Sequence, residues 1–143
     1  MNEIHTNNWT SASEAEARAS IIELFGHSPI PREELVTNLG LYMNRQSLAR
    51  ILFLHELYRK ILTVEGIIIE FGVRWGQSLA LFESFRGMYE PYNHTRRIVG
   101  FDTFDGLRSV SAVDGDHPIV TEGAYGVTAV SYTHLTLPTI CSV

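Results

Sequence analysis

Cysteine is almost absent from this chain of 143 residues, which contains only Cys141. A single thiol can form neither an internal disulfide nor a cysteine-based metal site, so both are excluded as the basis of the fold. The lack of cysteine suits a reducing compartment. The N-terminus also lacks the basic start and apolar core of a secretory signal. We therefore expect a cytoplasmic protein.

Long apolar runs and an excess of positive charge are missing as well. No apolar run approaches the roughly 20 residues that a membrane helix needs. The formal net charge is -5 at pH 7, which argues against a nucleic-acid partner. We therefore expect that the chain binds neither a membrane nor a nucleic acid.

The last residues of the chain have a pattern that is foreign to natural proteins. Residues 130–139 read Val-Ser-Tyr-Thr-His-Leu-Thr-Leu-Pro-Thr. This stretch back-translates into the read-through of a common transposase-based sequencing-library adapter, and the same reading continues to Val143. We interpret residues 130–143 as a non-native tail and exclude them from fold reasoning. The natural sequence is then expected to stop near residue 128, in the middle of a domain.

Residues 1–65 have the apolar spacing of helices and the residues that commonly start and end them. Ser13 and Glu16 have the spacing of a capping box at the start of the first helix. The predicted helices span residues 13–26, 31–40 and 44–63. His55 lies in the third helix, and we interpret it as a packed histidine rather than a catalytic one.

A strand and a glycine turn follow this helical region. Residues 67–69 are all isoleucine, whose branched side chains suit a buried strand. Glu70 would lie at the carboxyl end of the strand, where open parallel sheets bind ligands. Gly72 allows the backbone to turn sharply, and Gly76 allows the next helix to start close to the strand. This helix is predicted over residues 77–87.

A second unit of the same kind covers residues 97–107. Residues 97–101 read as a strand that Asp102 ends, and Asp105 and Gly106 read as a turn. A carboxylate at this place can accept hydrogen bonds from ribose hydroxyls. Because the strands are apolar on both faces, we expect helices to cover both faces of the sheet. The glycine spacing matches neither the dinucleotide fingerprint nor the phosphate loop.

These two motifs resemble those of a known family. Residues 70–76 read Glu-Phe-Gly-Val-Arg-Trp-Gly and residues 102–107 read Asp-Thr-Phe-Asp-Gly-Leu. They are similar to the motifs of the S-adenosylmethionine-dependent O-methyltransferases grouped around macrocin O-methyltransferase. The match departs at Asp105, where the family usually has glutamate. The resemblance covers residues 42–128.

The resemblance implies an α/β fold, a truncated Rossmann-like class I methyltransferase fold preceded by N-terminal helices. Residues 66–128 would form the first part of the S-adenosylmethionine-binding domain. The implied substrate is a sugar or another small-molecule hydroxyl in a biosynthetic pathway. We expect the parent protein to be a methyltransferase and this chain to be inactive alone. The N-terminal helices would also build contacts in a homo-oligomer.

The family motif also implies positions for the cofactor. The side of its methionine and ribose would be lined by Glu70, Gly72 and Gly76, and the side of its ribose and adenine by Asp102, Thr103 and Phe104. In the resembling family, Mg²⁺ ligands and the catalytic base come from strands beyond residue 128. We therefore assign no catalytic residue and no metal ligand in this chain.

Two loops contain polar residues of ambiguous meaning. We interpret residues 90–96 as a surface loop. Residues 109–126 include Asp114, Asp116, His117 and Glu122. That set suggests a metal site, but most positions of a calcium loop are missing, and we prefer a polar loop leading into a short strand or lid. His117 or Tyr125 would touch substrate if the resemblance holds.

Two other functions remain open from the sequence. The first is a nicotinamide-dependent oxidoreductase, although it would require a richer glycine loop than the turn from Gly72 to Gly76. The second is a non-catalytic helical interaction module, in which residues 13–63 would be the working part.

Overall fold

A computed structural model describes residues 11–111, 113 and 120–127. The chain forms two compact units, and the division falls between Phe53 and Leu54. The tail predicted to be non-native, residues 130–143, lies outside the described residues. No helix in the described part of the chain has the length and apolar character needed to cross a membrane.

The first helix, α1, spans Ala12–Gly26 and begins with a capping box. The Ser11 hydroxyl accepts the N–H of Glu14 at 3.4 Å, and the Glu14 carboxylate accepts the N–H of Ser11 at 3.4 Å. The prediction that Ser13 and Glu16 form this box is therefore wrong by two residues. Both pairs have the same Ser-x-x-Glu spacing, and the earlier pair adds further hydrogen-bonded residues to the helix.

The second helix, α2, is a short turn of Arg32–Leu35 with Pro31 at its N-cap. A separate 3₁₀ helix follows at Leu39–Tyr42. The predicted continuous helix over residues 31–40 is therefore wrong.

Side chains next to α2 explain why it stops. The carbonyl of Glu34 accepts hydrogen bonds from Thr37 Oγ1 and from Asn38 Nδ2, both at 2.9 Å. Such side chains compete with the backbone donor that would continue the helix. The 3₁₀ helix instead contacts α1, where the rings of Tyr42 and Phe25 meet edge to face at 5.1 Å.

The third helix, α3, spans Arg45–Ile61, within the predicted range of residues 44–63. The side chain of Asn44 accepts the N–H of Ser47 at 2.7 Å, which satisfies a free donor of the first turn. Leu54 and Tyr58 are the buried residues of this helix. Their four-residue spacing places them on one helix face.

The second unit contains a parallel pair of strands joined by a helix. Strand β1 spans Ile68–Phe71, helix α4 spans Gln77–Tyr89 and strand β2 spans Ile98–Phe101. The strands pair in parallel, with Ile68 opposite Ile98 and Phe71 opposite Phe101. The predicted strand, helix, strand order is confirmed, and α4 ends two residues later than predicted.

One face of this sheet is covered by α4. Gly100 in β2 is the point of closest approach, because a Cβ atom there would lie 2.6 Å from the side chains of Leu79 and Val73. Only a glycine leaves room for that contact.

The other face of the sheet is open among the described residues. Ile69 is 48% exposed, Phe71 is 80% exposed and Phe101 is 53% exposed. The rings of Phe71 and Phe101 stack on each other with centroids 5.5 Å apart. The expectation that helices cover both faces is therefore wrong for the described part of the chain, because these side chains are exposed.

A buried ion pair follows α4. The side chains of Arg96 and Glu90 are only 4% and 10% exposed, and Arg96 Nε lies 3.0 Å from Glu90 Oε2. The Tyr58 hydroxyl donates to the same carboxylate oxygen at 2.6 Å. The interpretation of residues 90–96 as a surface loop is therefore wrong at both ends.

Arg96 also connects two other parts of the unit through backbone carbonyls. Its guanidinium donates to the carbonyl of Gly66 at 3.1 Å and to that of Ile61 at 3.0 Å. Ile61 is the last residue of α3, and Gly66 lies in the segment that enters β1. One guanidinium thus fixes where the chain leaves α3 and begins the first strand.

The electrostatics of this cluster follow from its burial. The hydrogen bond from Arg96 is the main reason that the pKa of Glu90 falls from 4.5 to about 2. Burial, and then the hydrogen bond to Glu90, raise the pKa of Tyr58. Glu90 is therefore ionised and Tyr58 neutral at pH 7.

The structure confirms the interpretation of His55 as a packed residue. Its ring meets that of Phe85 at 5.4 Å between centroids. His55 Nε2 and the Tyr89 hydroxyl lie 2.6 Å apart and form a hydrogen bond. His55 therefore belongs to an aromatic cluster between α3 and α4.

The Glu90 carboxylate should make stability depend on pH. Because its folded-state pKa is depressed from 4.5 to about 2, its contribution is present above pH 4.5 and is lost as the pH falls toward 2. Glu90→Gln should lower the free energy of unfolding by about 3 kcal/mol at pH 7. In urea titrations, the gap between wild type and variant should shrink below pH 4.5.

Glu56→Gln is the matched control, since Glu56 forms an exposed pair with Arg59 in the same unit. Exposed pairs contribute little to stability, so this variant should behave like the wild type. A Glu90→Gln protein as stable as the control at pH 7 would show that the buried pair does not stabilise the fold.

Candidate functional site

The chain turns sharply where β1 ends. Gly72 and Gly76 have φ angles of 81° and 77°, in the left-handed region that glycine adopts without a steric penalty. The N–H of Gly72 donates to the carbonyl of Phe101 at 2.9 Å, so the turn starts beside the end of β2. Gly76 then begins α4 as its N-cap. The sequence-predicted glycine turn thus has the conformation that requires glycine.

Three residues near the site, Arg74, Phe104 and Tyr125, have a left-handed backbone without being glycine, and the first two lie in the turns that follow the strands. Arg74 has a φ of 51° and Phe104 a φ of 60°. This conformation is strained for a residue with a side chain. A strained backbone of this kind persists where surrounding contacts stabilise it. Arg74 and Phe104 share one such contact.

The shared contact is the carboxylate of Asp102. Its Oδ2 accepts the N–H of Arg74 and its Oδ1 accepts the N–H of Phe104, each at 2.7 Å. Burial alone would raise the pKa of Asp102, but the backbone donors of Arg74, Phe104, Val73 and Thr103 outweigh it and lower the pKa. Asp102 is therefore an anion that joins the turn after β1 to the turn after β2.

The loop after β2 is held from its far side by a returning segment. Leu107 donates to the carbonyl of Ala124 at 2.9 Å and accepts from the N–H of Gly123 at 2.8 Å. Val127 donates to the carbonyl of Phe104 at 2.9 Å. These three bonds make the segment around residue 124 a wall beside the second turn.

The turns and the returning segment enclose an open cavity of about 630 Å³ at the carboxyl ends of both strands. Its wall is formed by Phe71, Gly72, Arg74, Phe101, Asp102, Thr103, Gly106, Leu107, Ala124 and Tyr125. Ligand pockets commonly have volumes of roughly 300 to 1,000 Å³, so the cavity is large enough for a small molecule.

The structure brings together half of the sequence-predicted site residues. Gly72, Asp102 and Thr103 line the cavity. The other three lie outside its wall: Glu70 is in β1, and Gly76 and Phe104 belong to the two turns. The assignment of all six residues to a cofactor remains a prediction.

Glu70 nevertheless has an unusual environment. Its Oε2 atom is buried and has no hydrogen-bond partner among the described residues. A buried carboxylate oxygen without a donor is costly, since it loses its hydration without replacement. This oxygen lies near the carboxyl end of β1 but outside the cavity wall.

Sequence reasoning found one further wall residue and missed others. Tyr125, expected near the substrate, lines the cavity, whereas Asp114, Asp116 and His117 lie outside the described residues. Arg74 was missed, although an arginine between two turn glycines is an available signal. Within the described part of the chain, no cluster of three His, Cys, Asp or Glu side chains has the arrangement of a metal site.

Gly106 should be the most sensitive glycine of the second turn. A Cβ atom there would lie 2.3 Å from the carbonyl oxygen of Ala124, and its φ of 79° is unfavourable for alanine. Gly123 has a φ of 78° but open space around it, so it is a matched control. Gly123→Ala should cost about 1 kcal/mol of stability, and Gly106→Ala roughly 1–3 kcal/mol more. Equal melting temperatures for the two variants would contradict the close packing of the loop.

The chain is similar to solved methyltransferase structures, although no protein-family model and no curated protein sequence matches it. One is the crystal structure of CalS11, a calicheamicin methyltransferase, with 40% sequence identity and a TM-score of 0.87 over 97% of this chain. Another is the apo structure of CalS11, described as a TDP-rhamnose 3'-O-methyltransferase in calicheamicin biosynthesis. It has 49% identity and a TM-score of 0.67 over 69% of this chain.

The chain spans 54% of the length of the first structure and 42% of the second, about half of each. The shared fold confirms the predicted α/β methyltransferase architecture. The first of these similarities covers nearly the whole of this chain. The resemblance to O-methyltransferases that the two sequence motifs predict is therefore confirmed.

Proposed function

We propose that this chain is part of an S-adenosylmethionine-dependent O-methyltransferase that acts on a sugar or another small-molecule hydroxyl. The observation that carries the proposal is the cavity at the carboxyl ends of β1 and β2, built by two turns that Asp102 joins. Parallel α/β sheets bind their ligands at this edge. The similarity to CalS11 supports a sugar as the acceptor, because CalS11 is described as a TDP-rhamnose 3'-O-methyltransferase.

The residues at this edge fit the cofactor. Gly72 leaves open space where a side chain would otherwise stand. The unpartnered Oε2 of Glu70 is available to a donor such as an ammonium group. The carboxylate of Asp102 lies in the cavity wall, and each carboxylate oxygen can accept more than one hydrogen bond. Ribose hydroxyls are suitable donors to such a carboxylate.

Methyl transfer to a hydroxyl makes three demands on a protein. The reactants must be held in line, a proton must leave the hydroxyl, and water must be kept away. Bound S-adenosylmethionine supplies an electrophilic methyl group on sulfur. The described residues meet the first of these demands, because Gly72, Asp102 and Thr103 line the cavity in which the reactants would be held. We assign them no role in proton removal.

The other expectations remain proposals. Magnesium would be held by side chains beyond the described residues. A homo-oligomer contact through the N-terminal helices is supported by α1, which buries none of its residues and exposes Ile22, Leu24 and Phe25. A cytoplasmic location rests on the sequence alone. The two similar structures described above are methyltransferases. This similarity does not favour the two alternative functions, a nicotinamide-dependent oxidoreductase and a non-catalytic helical interaction module.

Binding of S-adenosylhomocysteine tests the proposal most simply. Calorimetry on this chain should show binding of S-adenosylhomocysteine and none of NAD. Gly72→Val should abolish that binding, because the branched side chain would enter the open space beside the turn. Circular dichroism should show unchanged helical content.

Gly87→Val is the control, because Gly87 lies in α4, outside the cavity wall, and a Cβ atom there also meets open space. It should bind S-adenosylhomocysteine like the wild type. Preference for NAD, or full binding by Gly72→Val, would argue against the proposed cofactor and its place.

A further inference from the structure

Arg74 has a backbone conformation that its side chain does not favour. It lies between the two turn glycines with a φ of 51°, where glycine or asparagine would be less strained. Its N–H bond to Asp102 at 2.7 Å holds the backbone in place, but a glycine could make the same bond. The strain is therefore the cost of placing a long cationic side chain at this position.

The side chain of Arg74 lies against another residue of the cavity wall. Arg74 is part of the wall, and its guanidinium carbon lies 5.4 Å from the ring centroid of Tyr125, another wall residue. A cation above an aromatic face is attracted by the ring and held in one orientation. Tyr125 thus restricts the guanidinium without neutralising its charge.

The guanidinium also lacks an anionic partner. Its Nε is buried and has no hydrogen-bond partner, and no carboxylate in the described part of the chain forms an ion pair with it. The nearby anion, Asp102, accepts the backbone N–H of Arg74 instead. A partly desolvated charge of this kind normally has a partner of opposite sign.

We infer that Arg74 binds an oxyanion of the molecule that occupies the cavity. The planar fork of a guanidinium matches the two oxygens of a carboxylate or phosphate. The inference rests on the proposed function for the source of that group. It is either the amino-acid carboxylate of the cofactor or the diphosphate of a nucleotide-sugar acceptor.

Three probes separate these sources. S-Adenosylhomocysteine carries the carboxylate, 5'-methylthioadenosine is the same thioether without the amino acid, and thymidine diphosphate carries the phosphates. Affinity for each is measured by calorimetry with the wild-type chain, with Arg74→Gln and with Arg108→Gln. Arg108 is an exposed arginine that pairs with Asp105 and lies outside the cavity wall, so it controls for net charge.

Arg74→Gln should weaken one of the two anionic probes about tenfold or more, while 5'-methylthioadenosine binding and the control variant stay unchanged. A loss confined to S-adenosylhomocysteine identifies the carboxylate, and one confined to thymidine diphosphate identifies the phosphates. Arg74→Gly removes the side chain and relieves the backbone strain, so it should show the same loss while folding at least as stably.

Three results would overturn the inference. The first is an unchanged affinity of Arg74→Gln for both anionic probes, and the second is a wild-type chain that binds neither of them. The third is an equal loss of affinity for 5'-methylthioadenosine in Arg74→Gln, which would mean that Arg74 only shapes the cavity. Failure of the proposed function is distinguishable. The wild type would then bind neither adenosine thioether, while a loss of thymidine diphosphate binding in Arg74→Gln would still support an oxyanion site.

Discussion

The carboxylate of Asp102 is the interaction on which the geometry of the cavity depends. It accepts the N–H groups of Arg74 and Phe104, one from each turn, and both residues have a strained left-handed backbone. Hydrogen bonds to a charged group contribute about 1.5–3 kcal/mol each, which is comparable with the strain of about 1–3 kcal/mol at each residue. One anion supplied by the chain therefore offsets two local costs. It also fixes the two strand ends relative to each other.

Much of the fold is predictable because local pattern decides it. Branched apolar runs predict β1 and β2, and apolar spacing predicts α3 and α4. The start of α1 is missed by two residues because Ser11 and Ser13 have the same capping spacing. The buried pair of Arg96 and Glu90 is missed for a deeper reason. Charged residues beside proline and asparagine look like a surface loop, and only tertiary contacts to carbonyls and Tyr58 make their burial favourable.

The site is predictable in its backbone and less so in its side chains. Glycines after a strand predict the turn, and an acidic residue after the next strand predicts a carboxylate at the same sheet edge, so Gly72 and Asp102 were found. What Asp102 does there could not be read from sequence, because its partners are backbone N–H groups of strained residues. The role of Arg74 depends equally on a φ angle and on a distant tyrosine, Tyr125.

Amide hydrogen exchange at Arg74 and Phe104 tests the central claim most directly. In the wild-type chain both N–H groups are bonded to Asp102 and should exchange slowly at neutral pH. Asp102→Ala should speed exchange at both amides about 10- to 100-fold, the equivalent of about 1.5–3 kcal/mol per bond. Amides within α3 should keep their wild-type rates. Unchanged exchange at both turns in Asp102→Ala would contradict the account.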